Sequence, residues 1–121
     1  MDNLFAIAFP ILPGKMEQFK QFLNELNDNR KDSYRQSRQK LNVRERVFLQ
    51  QTPQGDMVIV TFTGDNPKEA AMHLGDADDE FNRWFKQQVK EIHALDLENP
   101  PVEGLPVLCV DTDGKQTVEA Q

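Results

Sequence analysis

An α+β fold built on one sheet is predicted by three features of this sequence. Leu4-Phe5-Ala6-Ile7-Ala8-Phe9 and Met57-Val58-Ile59-Val60-Thr61-Phe62-Thr63 are short apolar runs of strand length. Residues 43–51 alternate and are followed by turn residues, which marks a hairpin. Between and after these runs lie two stretches whose apolar residues recur at helical spacing, Met16 to Leu26 and Phe81 to Ile92.

The first strand is expected over about Asn3 to Ile11. Leu12-Pro13-Gly14-Lys15 then changes the period from two to that of a helix. Met16, Phe19, Phe22, Leu23 and Leu26 form one apolar stripe. Beyond Leu26 that stripe becomes polar: Arg30, Ser33, Tyr34 and Ser37 come before Leu41. Either the helix breaks at Asn27-Asp28-Asn29, or its second half presents a polar wall. Three consecutive poor helix formers favour the break.

Val43 to Gln51 reads as the second strand, Thr52-Pro53-Gln54-Gly55 as the turn and Asp56 to Thr63 as the third strand. On the second strand Val43, Val47 and Leu49 share one face, and Arg44, Arg46, Phe48 and Gln50 share the other. A short helix is expected over Lys68 to His73. Asp76 to Glu80 then loads carboxylates onto the start of a longer helix, where the helix dipole favours them. Phe81, Trp84, Phe85, Val89 and Ile92 make its apolar face. Glu98 to Gly104 is a connector, Val107 to Val110 a fourth strand, and residues 112–121 a flexible tail.

The order strand, helix, strand, strand, helix, strand is the ferredoxin-like βαββαβ arrangement, with a four-stranded antiparallel sheet in a single domain over residues 1–111. Because both apolar strands are apolar on both faces, the sheet needs two covers, and the helices of this arrangement lie on one side. The expected second cover is another copy of the chain, so a homodimer is predicted.

At 121 residues the chain suffices for one core. A net charge of -6 argues against nucleic acid or an anionic membrane as a general partner. Basic residues nevertheless outnumber acidic ones between Lys15 and Arg46. That stretch reads as a solvated basic face or as a surface recognising an anion. No run reaches the roughly 18 apolar residues of a membrane span. Asp2, Pro10 and Pro13 break the pattern of a signal peptide. The single Cys109 lies in an apolar run, which reads as a buried strand residue in a cytoplasmic protein.

The segments Phe5 to Phe19, Arg46 to Asp56 and Phe81-Asn82-Arg83-Trp84-Phe85 with Ile92-His93 resemble uncharacterised bacterial proteins of the dimeric α+β barrel superfamily. The likeness spans residues 3–111. The resemblance implies subunits paired through their sheets and a ligand between helices and sheet. Characterised members of the superfamily include cofactor-free quinol monooxygenases, haem-degrading monooxygenases, lactone isomerases and amino-acid-binding regulatory modules.

A haem-degrading relative would use a histidine axial ligand with a nearby Trp and Asn, for which the chain offers His93, Trp84 and Asn3. At about 100° per residue, however, Trp84 and His93 point to opposite edges of their helix. His93 then reads as a half-buried histidine near a helix end. His73 suits a helix C-terminus. Two histidines and one cysteine offer no metal-ligand spacing, and the acidic Asp76 to Glu80 stretch lacks the glycine of a calcium loop. Nucleophile-elbow and phosphate-loop motifs are absent, as is the aromatic pattern of RNA-recognition strands.

The remaining candidates for ligand binding are Tyr34, Arg44, Arg46, Phe48, Trp84 and His93, because guanidinium groups beside aromatic rings suit an aromatic or carboxylate ligand. The expected function is a homodimer that binds a small organic molecule, acting as a cofactor-free monooxygenase or isomerase. The alternative is a non-catalytic assembly or regulatory module whose sheet and basic helix serve assembly with a partner; Arg44 and Arg46 themselves read either as ligand-binding or as pairing with acidic residues across the dimer or standing in solvent.

Overall fold

The structure is a computed structural model that describes residues 3–114. Its elements are β1 (Asn3–Pro10), α1 (Met16–Asn27), α2 (Lys31–Lys40), β2 (Val43–Thr52), β3 (Gly55–Gly64), α3 (Pro67–Met72) and α4 (Glu80–His93). The strands form an open antiparallel sheet in the order β1-β3-β2. β1 and β2 therefore run parallel, with the most apolar strand between them, and the α1–α2 pair makes the long crossover such a pairing needs.

The break at Asn27 to Asn29 occurs. α1 ends at Asn27, and Arg30 N–H reaches back to Glu25 O at 2.8 Å before α2 begins. The polar wall is present as well, since α2 turns Tyr34, Ser37 and Arg38 toward the interior. The two readings of this stretch are thus complementary.

Alternation on the strands divides the sheet. Phe5, Ile7 and Phe9 stand opposite Phe62, Val60 and Val58, and this face lies under the helices. Phe19, Phe62, Ile92 and Val58 are the largest fully buried side chains, which places the core between α1, α4 and β3. The other face carries Leu4, Ala6 and Ala8 opposite Thr63, Thr61 and Ile59, and Phe48 opposite Ile59. Leu4 and Phe48 are about half exposed there, at 51% and 52%.

The fourth strand does not form. Among the described residues the sheet has three strands, and Val107 to Val110 is unpaired, with Val107 and Leu108 lining an open groove that Leu4 and Phe5 also line. Pro100, Pro101 and Pro106 hold the approach in conformations that donate no ladder hydrogen bond. Cys109 is consequently exposed rather than buried, its Sγ 3.3 Å from Val107 O. The predicted tail over 112–121 lies mostly outside the described residues.

The chain after α4 is tied back to the core. Gly75 packs so closely on the Leu97 backbone that no side chain would fit, and Lys86 Nζ bridges Gly75 O and Glu98 Oε2 at 3.0 Å each. This holds Leu97 to Pro101 across the end of the helix layer, where they close part of a cavity.

Candidate functional site

Glu45 follows from alternation: with Val43 and Val47 it projects from the helix-covered face of β2, and its partner across the ladder is Phe62. A carboxylate among apolar side chains needs a counterion. α2 supplies it, because Tyr34 and Arg38 are one turn apart on the same helix face. Arg38 Nε donates to Glu45 Oε1 at 2.5 Å, and the two side chains are 6% and 5% exposed. Arg38 Nη1 donates to Ser37 Oγ at 2.8 Å, and Ser37 Oγ in turn donates to Asn82 Oδ1 at 3.3 Å. The guanidinium also lies 4.6 Å from the Phe85 ring centre and 5.0 Å from that of Tyr34, distances at which a cation is attracted to a ring face.

Two donor atoms of this cluster are left over. Arg38 Nη2 and Tyr34 Oη are buried and have no hydrogen-bond partner. The Tyr34 ring packs on Phe81 and Phe85, each with a centroid 6.1 Å away. Burial, then the neighbouring Glu45 charge, push the Tyr34 phenol above its ordinary value, with Arg38 opposing them; the hydroxyl faces the Glu45 carboxylate without forming a hydrogen bond of good geometry to it, so it remains a protonated donor. Tyr34, Arg38 and Glu45 line a groove of about 420 Å³ between α2 and β2, with Lys31, Arg35 and Arg44 at its rim.

Glu45 also lines a second space. A cavity of about 60 Å³ lies between the covered sheet face and the helices, walled by apolar side chains such as Phe19, Phe22, Val58 and Phe85. Among the described residues, Glu45 and His93 are its only charged or titratable lining residues. His93 Nδ1 donates to Pro10 O at 2.8 Å, so in the neutral ring Nε2 carries the lone pair. Burial lowers the His93 pKa, and the Pro10 carbonyl opposes that weakly. The ring sits edge-on to Phe9 and Phe19 at 4.6 and 5.8 Å.

The six candidate residues fall into three places. Tyr34 is in the ion-pair cluster and His93 at the cavity wall. Arg44, Arg46 and Phe48 share a face of β2, and it is the open face: Arg46 Nη2 donates to Thr63 Oγ1 at 3.1 Å on the exterior, and only Arg44 reaches the groove rim. Trp84 lies outside the cavity, with Arg30 over its ring at 4.1 Å and Arg30 held by Glu80 at 3.0 Å. Trp84 packs on Phe22 and Phe81 while His93 packs on Phe9 and Phe19, as their opposed helix directions require.

The residues that sequence reasoning missed are Arg38 and Glu45. Their signal was present: Glu45 interrupts the apolar set Val43, Val47, Leu49, and Arg38 follows Tyr34 by four positions. Among the described residues no group of three or more His, Cys, Asp or Glu is placed to hold a metal ion. His73 instead pairs with Asp76 at 2.7 Å and Glu69 at 3.0 Å on the surface. Among the same residues no helix is long and apolar enough to cross a membrane.

Fold and site define an α+β chain whose helix-covered sheet face encloses an apolar cavity ending on a buried ion pair. The chain belongs to the DUF6176 family, a family of unknown function, whose profile matches residues 3–102 and so takes in every helix and strand described above. The chain matches no curated protein and no solved structure.

Proposed function

We propose that this chain is a small-molecule-binding homodimer, with the apolar part of the ligand in the cavity and its polar end at Tyr34, Arg38 and Glu45. The observation that carries this reading is the pair of buried donors, Arg38 Nη2 and Tyr34 Oη, left without partners beside the Glu45 carboxylate. Leaving a buried donor unsatisfied costs about 1–3 kcal/mol, and a bound acceptor atom removes that cost. An apolar enclosure with a few convergent polar groups is the usual form of a small-ligand site. A cofactor-free monooxygenase or isomerase is the class of enzyme such a site suits.

The dimer is supported by the open sheet face, where Leu4, Ala6, Ala8, Phe48 and Ile59 lie together without helix cover. A second sheet laid on that face would complete a two-sided core of the dimeric α+β barrel kind, and pairing is also the setting in which Val107 to Val110 would gain a strand partner.

Native mass spectrometry of protein taken directly from cell extract tests the binding reading. A small-molecule adduct is expected on the parent chain, should be weakened but retained in Tyr34→Phe, and should be lost from the double variant Arg38→Met/Glu45→Leu. An adduct-free parent chain whose melting temperature no extract fraction raises would sink it and leave the non-catalytic module. Sedimentation at micromolar concentration tests the dimer independently.

A further inference from the structure

We propose that Glu45 is the base of a proton-transfer site for an enolisable carbonyl compound, whose oxygen is held by Arg38 Nη2 and Tyr34 Oη. This deepens, and rests on, the small-molecule-binding reading above.

The ligand class follows from what the unpartnered atoms can do. A guanidinium N–H can only donate. Tyr34, kept protonated in its buried setting, donates too. Two buried donors call for an acceptor that takes two hydrogen bonds, and a carbonyl oxygen has the two lone pairs this requires. Arg38 and Glu45 already neutralise each other at 2.5 Å. An added carboxylate would put a second negative charge beside Glu45, and an added cation would face donors. A neutral carbonyl brings no charge in the ground state and develops it only on its oxygen, where the donors are.

The chemistry follows from the third group. Arg38 holds Oε1 of Glu45, so Oε2 is the atom that takes the proton, the Tyr34 hydroxyl turning from that carboxylate to the carbonyl oxygen. That carboxylate lines both the polar groove and the apolar cavity. Because Glu45 belongs to both spaces, a carbonyl oxygen on the two donors is proposed to present its neighbouring carbon to the carboxylate from the cavity side. Glu45 Oε2 takes a proton from that carbon. The C–H electron pair becomes the new C=C bond, and the carbonyl π pair moves onto oxygen as an enolate held by Tyr34 and Arg38. Return of the proton to the same carbon regenerates the carbonyl compound. In a conjugated substrate, return to a more distant carbon shifts a double bond. Neither outcome consumes an oxidant, a reductant or a second substrate.

The test uses acetone, cyclopentanone and acetophenone as probes in D2O, with binding read by saturation-transfer NMR and chemistry by loss of the α-proton signal. The parent protein should bind at least one of these ketones and exchange its α-protons about 100-fold faster than Glu45→Gln at equal occupancy. Tyr34→Phe leaves the ion pair in place and should lower exchange about 10-fold with binding retained. Should Glu45→Gln lose its circular dichroism signature, Glu45→Asp replaces it: withdrawn by one methylene, it should bind and exchange more slowly. Binding with the same exchange rate in the parent and the Glu45 variant overturns the proton-transfer proposal and leaves the binding reading intact. Binding of none of the three by folded parent protein overturns the carbonyl assignment, whereas the small-molecule reading stands or falls by the adduct from cell extract.

Discussion

The two faces of one sheet are built from alternate residues of the same strands, yet they solve different problems. Val60 is covered by helices and 5% exposed, whereas Ile59 beside it points to the face without helices. The contrast is sharpest on β2, where Arg44, Glu45 and Arg46 are consecutive. The arginines stand at the open face in water and cost the fold nothing. Glu45 enters the core and survives as a charge because Arg38 meets it there. The comparison shows that in this molecule charge is tolerated inside only as a pair, and that the pair lies where the apolar cavity meets the polar groove.

The largest expected effect is therefore on the covered face. Val60→Asp buries an unpaired carboxylate and should cost about 3–5 kcal/mol, enough to abolish the cooperative transition in urea. Ile59→Asp, one residue away, should leave the chain folded and shift sedimentation toward monomer. Equal melting temperatures for the two variants would break the distinction between the faces.

Next comes the ion pair. Arg38→Met or Glu45→Leu alone leaves one buried charge without its partner and should cost about 3–5 kcal/mol in denaturant unfolding. The double variant should recover most of that loss, since an apolar pair of similar volume carries no desolvation penalty. Additive single-variant losses in the double variant would show that Arg38 and Glu45 act separately. Arg46→Met on the open face should change stability by no more than about 0.5 kcal/mol.

The histidines extend the comparison to pH. His93 is buried, and its folded-state pKa is depressed by burial. As pH falls through the ordinary histidine value of 6.5, the unfolded chain takes up the proton first, so stability present above that pH is lost below it. His73 is raised, chiefly by its hydrogen bond to Asp76 and then by that to Glu69. Its contribution is complete below 6.5 and disappears as pH rises through the raised folded value. His93→Asn should remove the acid-side slope of the urea midpoint against pH. His73→Gln should remove only a weak, salt-sensitive slope of opposite sign, because its partners are in solvent. The smallest effect is expected at Cys109, exposed and without a core contact. Cys109→Ser should leave the urea midpoint unchanged within error.

Alternation on β1 and β3, the Asn27 to Asn29 break and the stripe from Phe81 to Ile92 are local patterns, and the sequence alone places each of them in the element it forms. The opposed directions of Trp84 and His93 are equally a matter of helix periodicity. What periodicity could not supply was the partner of Glu45. Arg38 reads as one more solvated cation in a basic stretch until the crossover lays α2 against β2 and takes both groups out of water. Val107 to Val110 shows the converse: its side chains suit a strand, but a strand exists only where an adjacent edge accepts it, and three prolines on the approach hold it off the ladder. The sequence by itself thus determined the three strands that form, the helices between and after them, and the charge pattern, all of which depend on neighbours along the chain. Only the tertiary structure decided which charge is buried, which arginine meets it and which donors lack a hydrogen-bond partner, because those depend on desolvation by residues distant in sequence.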